Sequence, residues 1–275
     1  MGFYRLKVRL LKEPRIALLW RRAQGWLSMR ARRPPVGDYG RLPDLVREHA
    51  SGATFADIGC MWGVNGEYAF VAEEAGATEV TGVDVFGPTD EFEEKRRERG
   101  SSVRFVLGDI TSPQTLEQVG QVDVVLCAGV LYHHPSPFDV LAGLRRICRR
   151  TLILRTWAIP EVEGLPNAGV FFPMLSPKAR RLWDLSRHGL NQVGIAGPFE
   201  PDAGYGNWFW GLSPSCIRSL LETAGFRVDR QLGEEFAQTF ICTAVEPPFA
   251  HRLPDEREAR AVGHDVSAAG IARPA

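Results

Sequence analysis

The chain has 275 residues, enough for one large core, and its 33 Lys or Arg balance 33 Asp or Glu, so no global field draws it to nucleic acid or to membrane. The five cysteines are scattered, odd in number and free of any C-x-x-C pair, which argues against a disulfide framework and against structural zinc and fits a reducing cytosol. No run approaches the roughly 18 apolar residues of a membrane span, and the interrupted apolar N-terminus lacks the core of a signal peptide.

Residues 1–40 read as a basic helical extension and linker. Helices are expected over 4–12 and 15–28, split at Pro14, and residues 1–36 carry ten basic side chains against Glu13 alone. "RRPPVGDYG" is the linker. After a short helix around Leu42 to His49, apolar runs at "TFADIG", "EVTGVDV", "VRFVLGD", "VDVVLCAG" and "RTLILRTW" alternate with helix-like runs that start near Gly66, Pro88, Pro113 and Pro137. Strand then helix, repeated, predicts an α/β core over 41–157 with a parallel sheet covered on both faces.

Residues 158–212 break the pattern. They are rich in Gly, Pro and aromatics and too long for a simple connection, which predicts an aromatic lid or acceptor-binding insertion. Trp183 is expected in a satellite core. In "YGNWFWGL" an extended backbone would send Trp208 and Trp210 to one side and Phe209 to the other, so that one side could line a pocket. Residues 213–245 then supply a helix, with Ser213 as cap, Pro214 at its first position and Gly225 as its stop, and a closing strand pair. Residues 246–275 lack periodicity and are expected to be loosely ordered.

The chemistry starts in "ADIGCMWGVNGEYAF". A glycine-rich turn between strand and helix brings backbone close to a ligand. Its glycines, Gly59, Gly63 and Gly66, are spaced one residue too widely in the first gap for the dinucleotide fingerprint, and no Gly-Lys-Ser/Thr follows for a P-loop. Asp57 at the strand end would repel a pyrophosphate. Asp84, closing the second strand, can accept from both ribose hydroxyls, and Asp109, after the third, can accept from an exocyclic amino group while Ile110 packs on a purine face. The three together describe an adenosine site without phosphates.

At this point the chain resembles the class I S-adenosylmethionine-dependent methyltransferases over roughly residues 50–245. "DIGCMWG" is similar to their glycine-rich first motif, "GVDV" to their ribose acid, "GDI" to their adenine contact and "VDVVLCAGVLYH" to their fourth-strand motif. The resemblance implies a doubly wound, seven-stranded, mostly parallel sheet with an antiparallel last strand, in the order 3-2-1-4-5-7-6. It also implies S-adenosyl-L-methionine as cofactor and S-adenosyl-L-homocysteine as product, held by Asp57, Gly59, Cys60, Trp62, Gly63, Asp84, Val85, Asp109, Ile110 and Ala128. Trp62 and Asn65 depart from the family's usual residues at the methionine end.

Methyl transfer from a sulfonium is an in-line displacement, so a base is needed only where the acceptor must lose a proton. His133 and His134 are the candidates, and successive loop residues seldom face the same way. Adjacent histidines with no third ligand make a poor metal site, so none is expected. The acceptor pocket is assigned to Tyr132, His133, Trp157, Phe171, Tyr205, Trp208 and Trp210.

The reading is O-methylation of a small molecule of natural-product or glycan type by a cytoplasmic protein. The preference for Arg over Lys, 29 to 4, points to a high-GC bacterial genome. Two alternatives stand beside it. "LYHHPSP" is similar to a loop of the enzymes that carboxymethylate the tRNA wobble uridine, although the core is not basic. A non-catalytic cofactor-binding role would use residues 1–30 against a partner or an anionic lipid surface. The oligomeric state is not predicted.

Overall fold

The computed structural model describes residues 42–176, 178, 199–233 and 237–248. The basic N-terminal extension, Trp183 with the middle of the insertion, and nearly all of the C-terminal tail lie outside the described residues.

Each of the first four core strands is followed by a short turn and a helix. In chain order the elements are α1 (Leu42–Ala50), β1 (Thr54–Ile58), α2 (Glu67–Glu74), β2 (Glu79–Asp84), α3 (Asp90–Glu98), β3 (Arg104–Leu107), α4 (Pro113–Val119), β4 (Val122–Ala128), α5 (Pro137–Ile147) and β5 (Cys148–Trp157). The insertion contributes two short strands, β6 (Gly169–Phe171) and β7 (Trp210–Leu212), which pair with each other. The core resumes with α6 (Pro214–Ala224), β8 (Phe226–Gly233) and β9 (Ala237–Ala244).

The seven core strands lie in the order β3-β2-β1-β4-β5-β9-β8, which is 3-2-1-4-5-7-6 when core strands alone are counted. The first five are parallel, and β9 runs antiparallel to both of its neighbours. The expected fold is therefore observed. Continuous apolar strands follow from burial on both faces: in β4, Val125 and Cys127 join one buried cluster while Val124 and Leu126 join the other.

Local signals set the helix ends. Ser213 accepts the Cys216 N–H at the start of α6, with Pro214 at the first helical position, and Gly225 closes the helix in the left-handed region. Thr89 caps α3 through the Phe92 N–H. At the start of α2, Gly66 has φ 74° and an added Cβ would lie 2.4 Å from Phe92 Cδ2, so the turn needs both the conformation and the missing side chain.

The sheet order reverses direction between β1 and β4. Ligands of open α/β sheets sit in the crevice that opens there, beyond the carboxyl ends of the strands. Register brings those ends level, with Ile58 beside Val83 and Cys127 and Asp84 beside Leu107. The paired strands β6 and β7 are fastened across this edge by main-chain bonds, Phe209 N–H to the Tyr132 carbonyl and Ile159 N–H to the Leu212 carbonyl, and by Trp210 Nε1–H to the Pro135 carbonyl.

Candidate active site

A cavity of about 390 Å³ opens at this edge. That lies within the usual size range of small-molecule sites. Its wall includes Gly59, Trp62, Gly63, Asp84, Val85, Asp109, Ile110, Ala128, Tyr132, His133, His134, Tyr205 and Trp208. Five segments separated in the chain thus meet at one cavity.

The glycine-rich turn leaves β1 through Gly59 (φ 82°) and passes Gly63 (φ 74°), where an added Cβ would meet nothing within 4 Å. Gly63 is therefore a conformational requirement that leaves open space on the cavity side. Asp57 lies behind the turn: it is 1% exposed, it is absent from the cavity wall, and its Oδ2 has no hydrogen-bond partner. Burial, reinforced by the charge of Asp84, pushes its carboxyl up to about 7, while a bond from the Ala69 backbone opposes the rise. Cys60 is likewise fully buried, with its sulfur against Gly82. Asn65 is held away from the cavity by Thr89 and Glu91.

Asp84 closes β2 and Asp109 lies two residues beyond β3, in different surroundings. Asp84 accepts Met61 N–H on Oδ2 at 2.7 Å and Phe86 N–H on Oδ1 at 2.9 Å. A carboxylate offers about four acceptor directions, so one remains on each oxygen, as a ribose diol requires. Asp109 accepts Thr111 N–H and Oγ1–H on Oδ1, both at 2.8 Å, and Tyr205 O–H on Oδ2 at 2.5 Å, with His134 Nε2 3.5 Å from that same oxygen. Burial alone would raise its pKa, but the bonds from His134, Tyr205 and Thr111 outweigh it and hold the carboxyl well below the usual range.

The two histidines diverge. His133 Nδ1 is 2.8 Å from the Asn207 carbonyl oxygen, which can only accept, so Nδ1 carries the proton and Nε2 keeps its lone pair. Its ring is stacked on Trp62 at 5.7 Å and 14° and packs against Tyr132. Burial lowers its pKa, opposed by the Asn207 bond, so the ring is neutral at neutral pH. His134 has both ring nitrogens engaged: Nε2 lies 3.5 Å from the Asp109 carboxylate, and Nδ1 lies 3.0 Å from both the N–H and the carbonyl oxygen of Ser136.

Among the aromatic residues assigned to the acceptor, Tyr132 and Trp208 line the cavity, and Phe172 backs them in a small buried cluster. Trp157 packs against that cluster, while Phe171 lies tilted against Trp210 outside the cavity wall. Trp208 and Trp210 do not share a side, because the extended strand starts only at Trp210. Trp62 is 59% exposed at the mouth, edge-on to Phe86.

Phe86 and Asn207 are among the residues of the site that escaped the sequence reading. Phe86 lines the mouth, and Asn207 orients His133 through its carbonyl while its side chain clasps Glu200 and Gly204. A Phe after a strand and an Asn in a Gly-rich turn carry no signal that sets them apart from packing or turn residues.

Comparison with known proteins agrees with this geometry. Residues 56–154 match a family model described as methyltransferase domain. No curated protein matches the chain in sequence. Among solved structures, the N-terminal domain of EvdMO1 in the presence of SAH and D-fucose is 18% identical, with 76% of this chain and 84% of that chain covered and a TM-score of 0.51. The 1,6-didemethyltoxoflavin-N1-methyltransferase of Burkholderia thailandensis, with bound 1,6-didemethyltoxoflavin and S-adenosylhomocysteine, is 16% identical over 74% of this chain and 77% of that one, with a TM-score of 0.50. At such identities the likeness speaks for the fold, and the domain match for the activity. Residues 56–154 thus match a methyltransferase domain, on the fold of the class I S-adenosylmethionine-dependent methyltransferases.

Proposed function

We propose that the protein transfers the methyl group to a hydroxyl oxygen of a small, largely apolar acceptor, with His133 as general base. The observation that carries this reading is the bond from His133 Nδ1–H to the Asn207 carbonyl, which leaves a neutral imidazole with its lone pair on Nε2, on a ring that lines the cavity. A hydroxyl needs such a base, whereas a neutral amine does not.

When bound, S-adenosylmethionine supplies a sulfonium methyl open to in-line displacement. Asp84 would hold the ribose hydroxyls, and the Gly59–Gly63 turn would let the backbone approach the methionine end. The chain otherwise contributes alignment and dryness: Trp62, Tyr132 and Trp208 wall the acceptor side with aromatic surface. His133 Nε2 takes the acceptor's proton. His134 has both ring nitrogens engaged, Nε2 by Asp109 and Nδ1 by Ser136, and is turned to those partners. The EvdMO1 structure with D-fucose and the Burkholderia enzyme with 1,6-didemethyltoxoflavin supply small-molecule precedents on this fold and favour a natural-product or glycan acceptor.

The test is a mass-shift screen with S-adenosylmethionine against matched hydroxyl, amine and carbon acceptors. Methylated hydroxyl products that vanish in His133→Asn would support the proposal. Turnover of amines alone, unaffected by that substitution, would overturn it.

A further inference from the structure

We propose that the acceptor is a flat aromatic ring bearing the hydroxyl, a phenol in the chemical sense, and that Trp62 is the residue that selects it. This narrows the oxygen-methylation reading above and rests on it. It follows from the nearly parallel setting of the Trp62 indole and the His133 imidazole in the cavity wall.

Trp62 is held in place, yet most of its surface is uncovered. Phe86 stands against it at 87° with centroids 5.4 Å apart, and an added Cβ at Gly206 would come within 3.4 Å of Cη2, so the insertion meets the indole at its benzo ring. The side chain is still 59% exposed. A large aromatic side chain left open at a cavity mouth marks a contact surface. Its plane lies 14° from that of His133, with centroids 5.7 Å apart. A flat ring stacked on the same face of the indole lies close to the imidazole plane, which is where the Nε2 lone pair points. Trp208 stands at 77° to the imidazole, 6.0 Å away between centroids, and supplies an upright wall.

The chemistry of the lining favours the same class. Among the described residues that line the cavity, none is Ser, Thr, Asn, Gln, Lys or Arg. Asp84 is assigned to the ribose, and Asp109 and His134 face each other at 3.5 Å. A glycan brings several hydroxyls, each of which weakens binding when buried without a partner, whereas a phenol brings the one hydroxyl that His133 receives. The base matches as well. A phenol ionises near about 10 and an aliphatic hydroxyl close to water's value of about 15.7, so a neutral imidazole takes the phenolic proton far more readily. That proton passes to His133 Nε2 while the phenolic oxygen bonds the methyl carbon and the carbon–sulfur bond breaks, its electron pair staying on sulfur. His133 then gives the proton to solvent.

The test uses the full chain saturated with S-adenosylhomocysteine, and calorimetry with β-naphthol, its saturated counterpart decahydro-β-naphthol, and methyl fucoside. β-Naphthol should bind about tenfold tighter than either of the others, the upper end of what an aromatic pair contributes. Trp62→Leu keeps apolar bulk but removes the flat face, and should shrink that preference to within about threefold, whereas Trp62→Phe should restore most of it. A merely structural role would weaken all three ligands together and leave the preference unchanged. Mass-shift assays with S-adenosylmethionine should then show methylated β-naphthol. Failure of β-naphthol to bind, equal binding of a saturated ligand, or a preference unchanged in Trp62→Leu would overturn the proposal; methylation of the saturated alcohol or the fucoside would in that case leave the oxygen reading standing. Methylation of β-naphthylamine in place of β-naphthol, with the preference for flat rings intact, would overturn the oxygen reading itself, and the phenol assignment with it.

Discussion

Replacing His133 by Asn separates the base from the scaffold around it. The Asn amide nitrogen falls near the place of Nδ1 and can still donate to the Asn207 carbonyl, now 2.8 Å from the imidazole, so the lid clasp is kept while Nε2 is removed. Loss of a general base costs about 10²- to 10⁴-fold in rate, or roughly 3–5 kcal/mol of barrier. Loss of the ring's contacts with Trp62 and Tyr132 costs about 0.5–1.5 kcal/mol each in stability. The barrier term is the larger, so kcat for a hydroxyl acceptor should fall at least a hundredfold while the protein stays folded. The pH profile gives a second reading. A buried imidazole with a lowered pKa must be neutral to act, so kcat should fall on the acid side only below about 6.5 and lie flat above it. The same depression means that His133 favours the folded state above the unfolded value of about 6.5 and that this contribution is lost as the pH falls through the folded value. Steady-state kinetics from pH 5 to 9 with both variants would decide. A change of only a few-fold in His133→Asn, or a larger one in His134→Gln, would refute the assignment.

Three further outcomes are expected. Asp84→Ala removes the ribose acceptors and two backbone anchors at once, and should weaken S-adenosylhomocysteine by about 3 kcal/mol, roughly a hundredfold; calorimetry finding less than threefold would contradict the assignment. Gly66→Ala should destabilise the fold by about 2–4 kcal/mol through a positive φ and a clash with Phe92, whereas Gly63→Ala, with open space at its Cβ, should cost only about 1–2 kcal/mol; equal denaturation midpoints would show the turn to be more pliant than drawn. Asp57, raised by burial from 3.8 to about 7, favours the folded state most below pH 3.8, and this contribution, on the order of 4 kcal/mol, is lost as the pH rises through 7; the Asp57→Asn variant should lack that decline in urea titrations from pH 4 to 8, and an unchanged slope would refute it.

The legible part of this protein was what periodicity and strand ends encode. Continuous apolar runs alternating with helix-like runs dictated a parallel sheet, because strands buried on both faces must be apolar throughout. Ser213, Pro214 and Gly225 marked their helix because caps are local chemistry. Gly59, Asp84 and Asp109 converge because parallel strands in register end at one edge, so a residue's place after its strand already fixed its neighbourhood.

Side-chain commitments within that neighbourhood were decided only by packing. Asp57 stands one residue before the end of β1 and Asp84 closes β2, but one lies buried behind the turn and the other faces the cavity. His133 and His134 are adjacent in the sequence, and only contacts 74 and 25 residues away, Asn207 for one and Asp109 for the other, distinguish a free imidazole nitrogen from a spent one. Asp109 follows its strand in the local pattern, but the hydroxyl that it accepts on Oδ2, that of Tyr205, lies 96 residues further along the chain. Strand order is written in local pattern, whereas the hydrogen-bond partners of a site side chain depend on which distant loops fold over it, and no spacing in the sequence records that.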